Sequence, residues 1–225
     1  ALWLVSVGQL IVGFRSDLIH PADIGTDSSN YLAAAERFLD RQPIYELAPG
    51  DRPDPLDIAP DRSVAILSPP TIGAVYAPVA VLPGGLGAYP AWLVGVAGTV
   101  AAVLLAIAYA PPLLVFLGIQ VLPGLAVTAW SGNVNALIAL AVVIAWYGGV
   151  SDRRTVQVAA GVVVAIVACV KIGPILLGWW LLARRRWAAL IAMATIGAVI
   201  VLATLAIAGI DSFRAYLGVV AEASA

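Results

Sequence analysis

The sequence predicts an all-α protein: a polytopic transmembrane helical bundle with an extracytoplasmic loop that carries a short amphipathic helix. Of the 225 residues, 62% are hydrophobic and 11% are charged, whereas soluble domains are about one quarter charged. No Asp, Glu, Lys, Arg or His occurs between residues 63 and 151. Because a span needs roughly 20 apolar residues, this composition excludes an ordinary soluble domain.

The charged residues are distributed unevenly, which predicts an orientation. Ten of the 13 acids lie between Arg15 and Arg62, so this segment must lie in water. Basic residues elsewhere form two clusters, Arg153–Arg154 and Arg184–Arg186. The positive-inside rule places both clusters in the cytoplasm. We therefore expect the acidic loop, and the functional site, on the extracytoplasmic face.

The predicted organisation has four parts. Residues 1–14 are typical of the second half of a first transmembrane helix, since they are short for a span and lack the basic segment of a signal peptide. Residues 15–68 form the extracytoplasmic loop, residues 69–210 the helical bundle, and residues 211–225 the start of a further extramembrane segment. We expect the chain to be a fragment of a longer protein.

Within the loop, residues 28–41 are predicted to form a surface helix. Asp27 and its neighbours are N-cap types, and Pro43 ends the helix. The apolar side chains fall at helical spacing, with charged residues on the opposite face: Tyr31, Ala34, Ala35, Phe38 and Leu39. Such a one-sided helix is suited to lying on a membrane surface.

Six candidate spans follow in the bundle: residues 69–82, 86–109, 113–130, 135–150, 156–183 and 187–210. If residues 156–183 cross the membrane once, the two arginine clusters lie on opposite sides, against the positive-inside rule. If this helix breaks at residues 171–174, within Lys-Ile-Gly-Pro, and turns back, both clusters can be cytoplasmic. We favour the broken helix.

Lys171 is the most informative residue of the apolar half. A lysine at the centre of a span costs roughly 2.5–3.5 kcal/mol, so it usually faces a cavity or a partner. No acid lies near it in the sequence, and a phosphate is a natural ligand for a compact cation. The alternative is a lysine that snorkels to the interface.

The acidic loop supplies candidates for a general base. Asp27 stands where the loop becomes the surface helix, and a carboxylate there can accept a proton from a hydroxyl group. Asp17 and Asp23 are rivals on the same grounds. Asp27 could instead act only as an N-cap.

The remaining polar residues allow few kinds of site. Asn133 and Asn135, in the sequence SGNVN, could cap a helix or hydrogen-bond a sugar. A single cysteine, Cys169, and a single histidine, His20, exclude an internal disulfide and a cysteine- or histidine-rich metal site. We therefore predict no cofactor and no metal. The tryptophans beside the second arginine cluster suggest an interfacial belt: Trp179, Trp180 and Trp187.

Four segments, in order, resemble glycosyltransferase family 87, bacterial integral membrane enzymes of the C-type fold. They are DSSNYLAAAERFLDRQPIYE (27–46), SPPTIGAVYAPVAVLP (68–83), SGNVNALIAL (131–140) and AAGVVVAIVACVKIGPILLGWWLLARRRWAAL (159–190). The third resembles a Gly-Gln-x-Asn motif and departs from it, because Asn133 stands where Gln is usual. The family is also longer than this chain.

The resemblance implies a multi-pass plasma membrane enzyme that transfers a sugar, typically mannose, from a polyprenyl-phosphate donor. Its partners would be that donor, a lipid or glycan acceptor and membrane lipids, with no nucleic acid. By position, Asp27 would be the catalytic base of an inverting reaction. Lys171 is then the candidate for the donor phosphate, and Tyr31, Asn133 and Asn135 are further candidates for substrate binding.

Two functions of other classes compete with this one. A secondary transporter would also have broken helices and an intramembrane lysine. It should show inverted repeats, however, and neither the Asp27–Tyr45 pattern nor the Lys171–Pro174 pattern recurs. A non-catalytic membrane scaffold would tolerate Asp27→Asn and Lys171→Met without any loss of function.

Overall fold

The computed structural model describes residues 26–45, 68–82, 97 and 132–223, and these residues form helices and turns with no strand among them. The all-helical prediction is thereby confirmed. The helices are α1 (Thr26–Leu39), α2 (Thr71–Ala80), α3 (Asn135–Val150), α4 (Arg154–Val170), α5 (Leu177–Ala183) and α6 (Trp187–Ala223), with a 3-10 turn (Gly173–Leu176) between α4 and α5.

One helix in the described ranges, Trp187–Ala221, is long and apolar enough to cross a membrane. The multi-span bundle therefore stays a prediction. The predicted first helix (1–14), the irregular loop and, apart from residue 97, the spans 86–109 and 113–130 lie outside the described residues. So do the rival base candidates Asp17 and Asp23, and His20.

The helix predicted over residues 28–41 is α1, which begins and ends two residues earlier. Two side chains depart from the predicted pattern. Arg37, placed on the charged face, is buried, and its guanidinium donates a hydrogen bond to the carbonyl oxygen of Ile44 (3.1 Å). Leu39, placed on the apolar face, is 41% exposed. The chain leaves the helix through Arg41, whose φ of 57° is left-handed.

The apolar face of α1 packs against α2. Phe38 lies so close to Gly73 that a Cβ at Gly73 would stand 2.7 Å from the Phe38 Cβ. The rings of Tyr31 and Tyr76 are 5.3 Å apart between centroids. Protein thus covers this face, although the amphipathic pattern alone suggested that it lies against the membrane.

α3, α4 and α5 run back and forth between two ends of the bundle. α4 stops at Lys171, whose backbone is extended (φ −147°, ψ 125°). The chain turns through Gly173 and Pro174, since a proline has no N–H for an α-helical hydrogen bond. α5 then returns, and the Arg186 side chain donates to the carbonyl oxygen of Gly149 (2.8 Å) at the end of α3.

Both arginine clusters consequently lie at the same end. The Arg186 guanidinium also forms an ion pair with Asp152 (2.9 Å), the residue before Arg153. This geometry agrees with the broken-helix alternative and removes the conflict with the positive-inside rule. We call the five residues Arg153, Arg154, Arg184, Arg185 and Arg186 the arginine face.

α6 packs closely against α4 and changes direction past its midpoint. Gly161 of α4 touches the backbone of α6, because a Cβ there would overlap the carbonyl oxygen of Ala189. Gly209 interrupts α6 with a left-handed φ of 73°. Beyond it, the Tyr216 ring lies 6.0 Å from that of Tyr45, which closes the bundle over the end of α1.

The glycine contact gives the first testable prediction. Gly161→Ala should destabilise the protein by about 1–3 kcal/mol, because overpacking forces a backbone to shift. Gly218→Ala, on α6 with no atom within 4 Å of the new methyl group, should be neutral or slightly stabilising, because alanine favours a helix more than glycine does. Thermal unfolding of the purified protein in detergent measures both. Equal unfolding temperatures would contradict the close α4–α6 contact.

Candidate functional site

The polar side chains predicted from the sequence lie at the end opposite the arginine face. Asp27 is in the first turn of α1, Asn133 and Asn135 lie at the start of α3, and Lys171 follows the end of α4. We call these four residues the polar cluster. α3 begins at this end and α4 finishes there, so the hairpin between them brings residues from distant parts of the sequence together.

Asn133 contacts Asp27 directly. Its side-chain amide donates a hydrogen bond to the Asp27 carboxylate oxygen Oδ2 (2.9 Å). The approach depends on Gly132, which has a left-handed φ of 72° and would place a Cβ 2.6 Å from the Ser28 hydroxyl oxygen. Only glycine adopts this conformation without strain and fits this space. The SGNVN turn is therefore built to bring an amide against the start of α1.

Asn133 also caps the start of α3. Its side-chain oxygen accepts the backbone N–H of Asn135 (2.9 Å), the local pattern that Asn adopts at turns and helix starts. The capping role considered for this residue is thus present together with the contact to Asp27. With both ends of its amide engaged, Asn133 holds a fixed orientation.

Asn135 extends the chain of hydrogen bonds to Lys171. The Lys171 ammonium donates to the Asn135 side-chain oxygen (3.0 Å) in an exposed position. One tripeptide, from Asn133 to Asn135, therefore links a carboxylate on α1 to an ammonium group after α4. The polar cluster offers a proton acceptor and a cation held by one tripeptide, and these are the groups needed to deprotonate a hydroxyl and to stabilise an anionic leaving group.

Tyr31 lies beneath the polar cluster and is only 5% exposed. Burial, and secondarily the charge of Asp27, raise the pKa of Tyr31 well above its usual range. Tyr31 is therefore a neutral hydroxyl at all physiological pH values.

An apolar groove of about 830 Å³ lies between α4, α5 and α6. Cys169 and Ile172, the neighbours of Lys171, line it near the polar cluster, and Leu182 and Leu190 line it toward the arginine face. The groove thus runs from the neighbours of Lys171 along α5 toward the arginine face. Its apolar lining suits a hydrocarbon chain.

The residues that the structure describes contain no group of three or more His, Cys, Asp or Glu side chains that could hold a metal ion. The arrangement that they do contain is suited to acid–base and electrostatic chemistry. Asp27 and Lys171 supply the charges, and the two asparagines fix their positions.

Two supporting contacts were not predicted from the sequence. The Thr71 hydroxyl donates to the carbonyl oxygen of Cys169 and ties α2 to the end of α4 beside Lys171. The Tyr45 hydroxyl donates to the carbonyl oxygen of Ser68 (2.7 Å). The sequence signal for the contact between Thr71 and Cys169 was the Pro-Pro-Thr sequence at the start of α2. A threonine at the beginning of a helix can bond to another segment through its hydroxyl group.

Comparison with known proteins identifies the family. The family model of glycosyltransferase family 87 matches residues 67–225, well over half of the chain. Comparisons with curated proteins and with solved structures give no significant match. The matched range contains three members of the polar cluster, while Asp27 precedes it.

Proposed function

Since the chain belongs to glycosyltransferase family 87, and is therefore a glycosyltransferase of a family of membrane proteins, we propose that it transfers mannose from a polyprenyl-phosphate donor. The acceptor is a hydroxyl group of a lipid or glycan. The observation that carries this proposal is the polar cluster, in which Asp27 and Lys171 are joined through Asn133 and Asn135.

The proposed reaction inverts the anomeric centre. Asp27 removes the proton from the acceptor hydroxyl, whose oxygen attacks the anomeric carbon of the donor. The bond between that carbon and the phosphate oxygen breaks, and the polyprenyl phosphate leaves with the electron pair. Lys171 stabilises the charge that develops on the phosphate, which is where a preorganised cation lowers the barrier most.

The apolar groove supports a lipid-linked donor. Ile172 and Cys169 lead into it from both sides of Lys171, so a phosphate at the ammonium group would leave its hydrocarbon chain beside the groove. A water-soluble sugar nucleotide has no hydrocarbon chain that could bind in this apolar groove. The donor chain is therefore assigned to this groove.

The active site is proposed to face the extracytoplasmic side. The arginine face and the polar cluster lie at opposite ends of the α3–α4 hairpin, and positive clusters prefer the cytoplasm. In this proposal, the polyprenyl-phosphate sugar is consumed on the extracytoplasmic side of the membrane.

Asn133 and Tyr31 are proposed to position Asp27 more than to bind sugar. Asn133 holds the carboxylate and the start of α3, and Tyr31 is buried below them. Asn135 plays the corresponding part for Lys171. The substrate then contacts the two charged groups, and the neutral residues keep the spacing between them.

The direct test is a sugar-transfer assay on membranes that contain the complete open reading frame. Labelled polyprenyl-phosphate-mannose and a lipid extract are supplied, with the arabinose donor and a sugar nucleotide as parallel arms. Transfer from the mannose donor alone would support the proposal. Transfer only from the sugar nucleotide would refute the donor class, while transfer from the arabinose donor would keep the mechanism and change the sugar.

A second test addresses the positioning of Asp27. Asn133→Leu removes the amide that holds the carboxylate, and misplacement by about 1 Å can lower kcat on the order of 100-fold. The donor KM should change little, because Lys171 keeps its own partner. Asn133→Gln preserves the amide and should recover part of kcat. A rise in donor KM with unchanged kcat would show that Asn133 binds substrate instead.

The family match does not support the alternative of a secondary transporter. No observation on the described residues favours the scaffold alternative, which predicts that Asp27→Asn has no effect.

A further inference from the structure

The arginine face concentrates positive charge at the end of the bundle opposite the polar cluster. The Arg184 and Arg186 side chains both donate to the carbonyl oxygen of Gly149 (3.4 and 2.8 Å). Arg186 also pairs with Asp152, which is the only acid between residues 62 and 210. Among the described residues, five arginines at this end are matched by one carboxylate, and the sequence of residues 83–131 contains no charged side chain.

Three of the five arginines are exposed and have no side-chain partner within the part of the chain that the structure describes: Arg153, Arg154 and Arg185. By contrast, Arg184 lies 5.5 Å from the centre of the Trp180 ring and Arg186 is ion-paired. Arg184 and Arg186 therefore serve the fold. The guanidinium groups of the other three arginines are available to a ligand. Arginine binds phosphate through paired N–H donors in a fixed geometry.

The backbone at Arg185 supplies independent evidence. Its φ is 53°, and its N–H donates to the carbonyl oxygen of Leu182 (2.8 Å) at the end of α5. Glycine is the favoured residue at such a left-handed helix end, and other residues are strained there. Arg185 therefore occupies a position at which glycine would be less strained, and this strain is motivation to test its exposed side chain for a function.

Exposed tryptophans surround the arginine face. Trp146 precedes it on α3, Trp179 on α5, and Trp187 follows it on α6, with exposed fractions of 59%, 69% and 60%. Tryptophan side chains concentrate at the level of lipid headgroups. Tryptophans and arginines thus share one end of the bundle, the combination expected beside a layer of lipid headgroups.

We propose that the arginine face binds the headgroups of anionic phospholipids in the leaflet that it meets. Basic clusters next to membrane helices attract acidic lipids, with roughly a fivefold gain in affinity per arginine. Phosphatidylglycerol is the appropriate probe, because its headgroup carries a net negative charge, whereas that of phosphatidylcholine is neutral overall. The inference is independent of the catalytic proposal, since it uses no residue of the polar cluster.

Native mass spectrometry of the complete protein in detergent, titrated with phosphatidylglycerol or phosphatidylcholine, tests this. The wild type should retain phosphatidylglycerol preferentially. The combined variant Arg153→Gln, Arg154→Gln, Arg185→Gln should lower that affinity on the order of 100-fold and leave phosphatidylcholine retention unchanged. Arg214→Gln is the matched control, because Arg214 is an exposed arginine at the far end of α6, paired with Asp211.

Arg185→Gly separates lipid binding from folding. This change relieves the left-handed strain, so the unfolding temperature should be equal or higher, while phosphatidylglycerol affinity should fall about fivefold. A structural role for Arg185 would instead lower the unfolding temperature. The proposal is overturned if Arg185→Gly and the combined variant bind phosphatidylglycerol as the wild type does, or if Arg214→Gln weakens binding as much as they do.

Discussion

Asp27→Asn is expected to lower the rate of sugar transfer by about 10²–10⁴-fold, the contribution of a positioned general base. Asparagine has nearly the shape of aspartate but cannot accept the proton of the acceptor hydroxyl. It can still accept the hydrogen bond from the Asn133 amide that holds Asp27 Oδ2 (2.9 Å). The site should therefore keep its geometry and its donor affinity while kcat collapses.

The matched control is Asp40→Asn, which removes an exposed carboxylate at the end of α1. It changes the net charge by the same amount and should leave transfer unchanged. Donor binding, measured with a non-transferable polyprenyl-phosphate analogue, should be the same in both variants and the wild type. A loss of donor binding in Asp27→Asn alone would indicate disruption of the polar cluster instead of loss of a base.

Two other carboxylates decide whether the mechanism or only the assignment is at fault. If Asp27→Asn retains turnover and Asp17→Asn or Asp23→Asn abolishes it, the base is another residue of the same loop. If all three variants remain active, the mechanism with a carboxylate base is wrong. Each outcome is read from the same transfer assay.

The features that the sequence predicted well are those with a local cause. Proline at position 174 removes a backbone donor, so the break after α4 follows from a single residue and its neighbours. The face of α1 that packs on α2 follows from helical periodicity. In both cases the relevant interactions lie within a few positions of one another.

The contacts of the polar cluster could be anticipated only in part. The sequence singled out Asp27, Asn133, Asn135 and Lys171, but nothing in it fixes that Asn133 reaches a carboxylate 106 positions away. That contact depends on the return of the chain between α1 and α3. Arg37 could not be predicted for the same reason. Helical periodicity assigned it to solvent, but in the structure it is buried and donates a hydrogen bond to a carbonyl group of the following turn.

Lys171→Met is expected to weaken donor binding on the order of 10–100-fold, because a hydrogen bond to a charged group contributes about 1.5–3 kcal/mol. Methionine keeps much of the length and apolar character of the side chain and removes the charge. Since Lys171 is exposed and bonded to the Asn135 side chain (3.0 Å), its loss should disturb the fold little. The donor KM should rise and the acceptor KM should stay the same.

Two further variants distinguish a phosphate contact from a structural lysine. Lys171→Arg keeps the charge and should therefore keep most of the donor affinity of the wild type. If Lys171 only had a structural role at the helix break, restoring the charge would not restore donor affinity. Asn135→Leu leaves the ammonium group in place but removes its hydrogen-bond partner, so the donor KM should rise less than in Lys171→Met.

If Lys171→Met instead raises the acceptor KM, or lowers the unfolding temperature as much as Gly161→Ala does, the ammonium group does not bind the donor phosphate. The cation that stabilises the leaving group would then have to be sought among the arginines of the acidic segment: Arg15, Arg37, Arg41, Arg52 and Arg62.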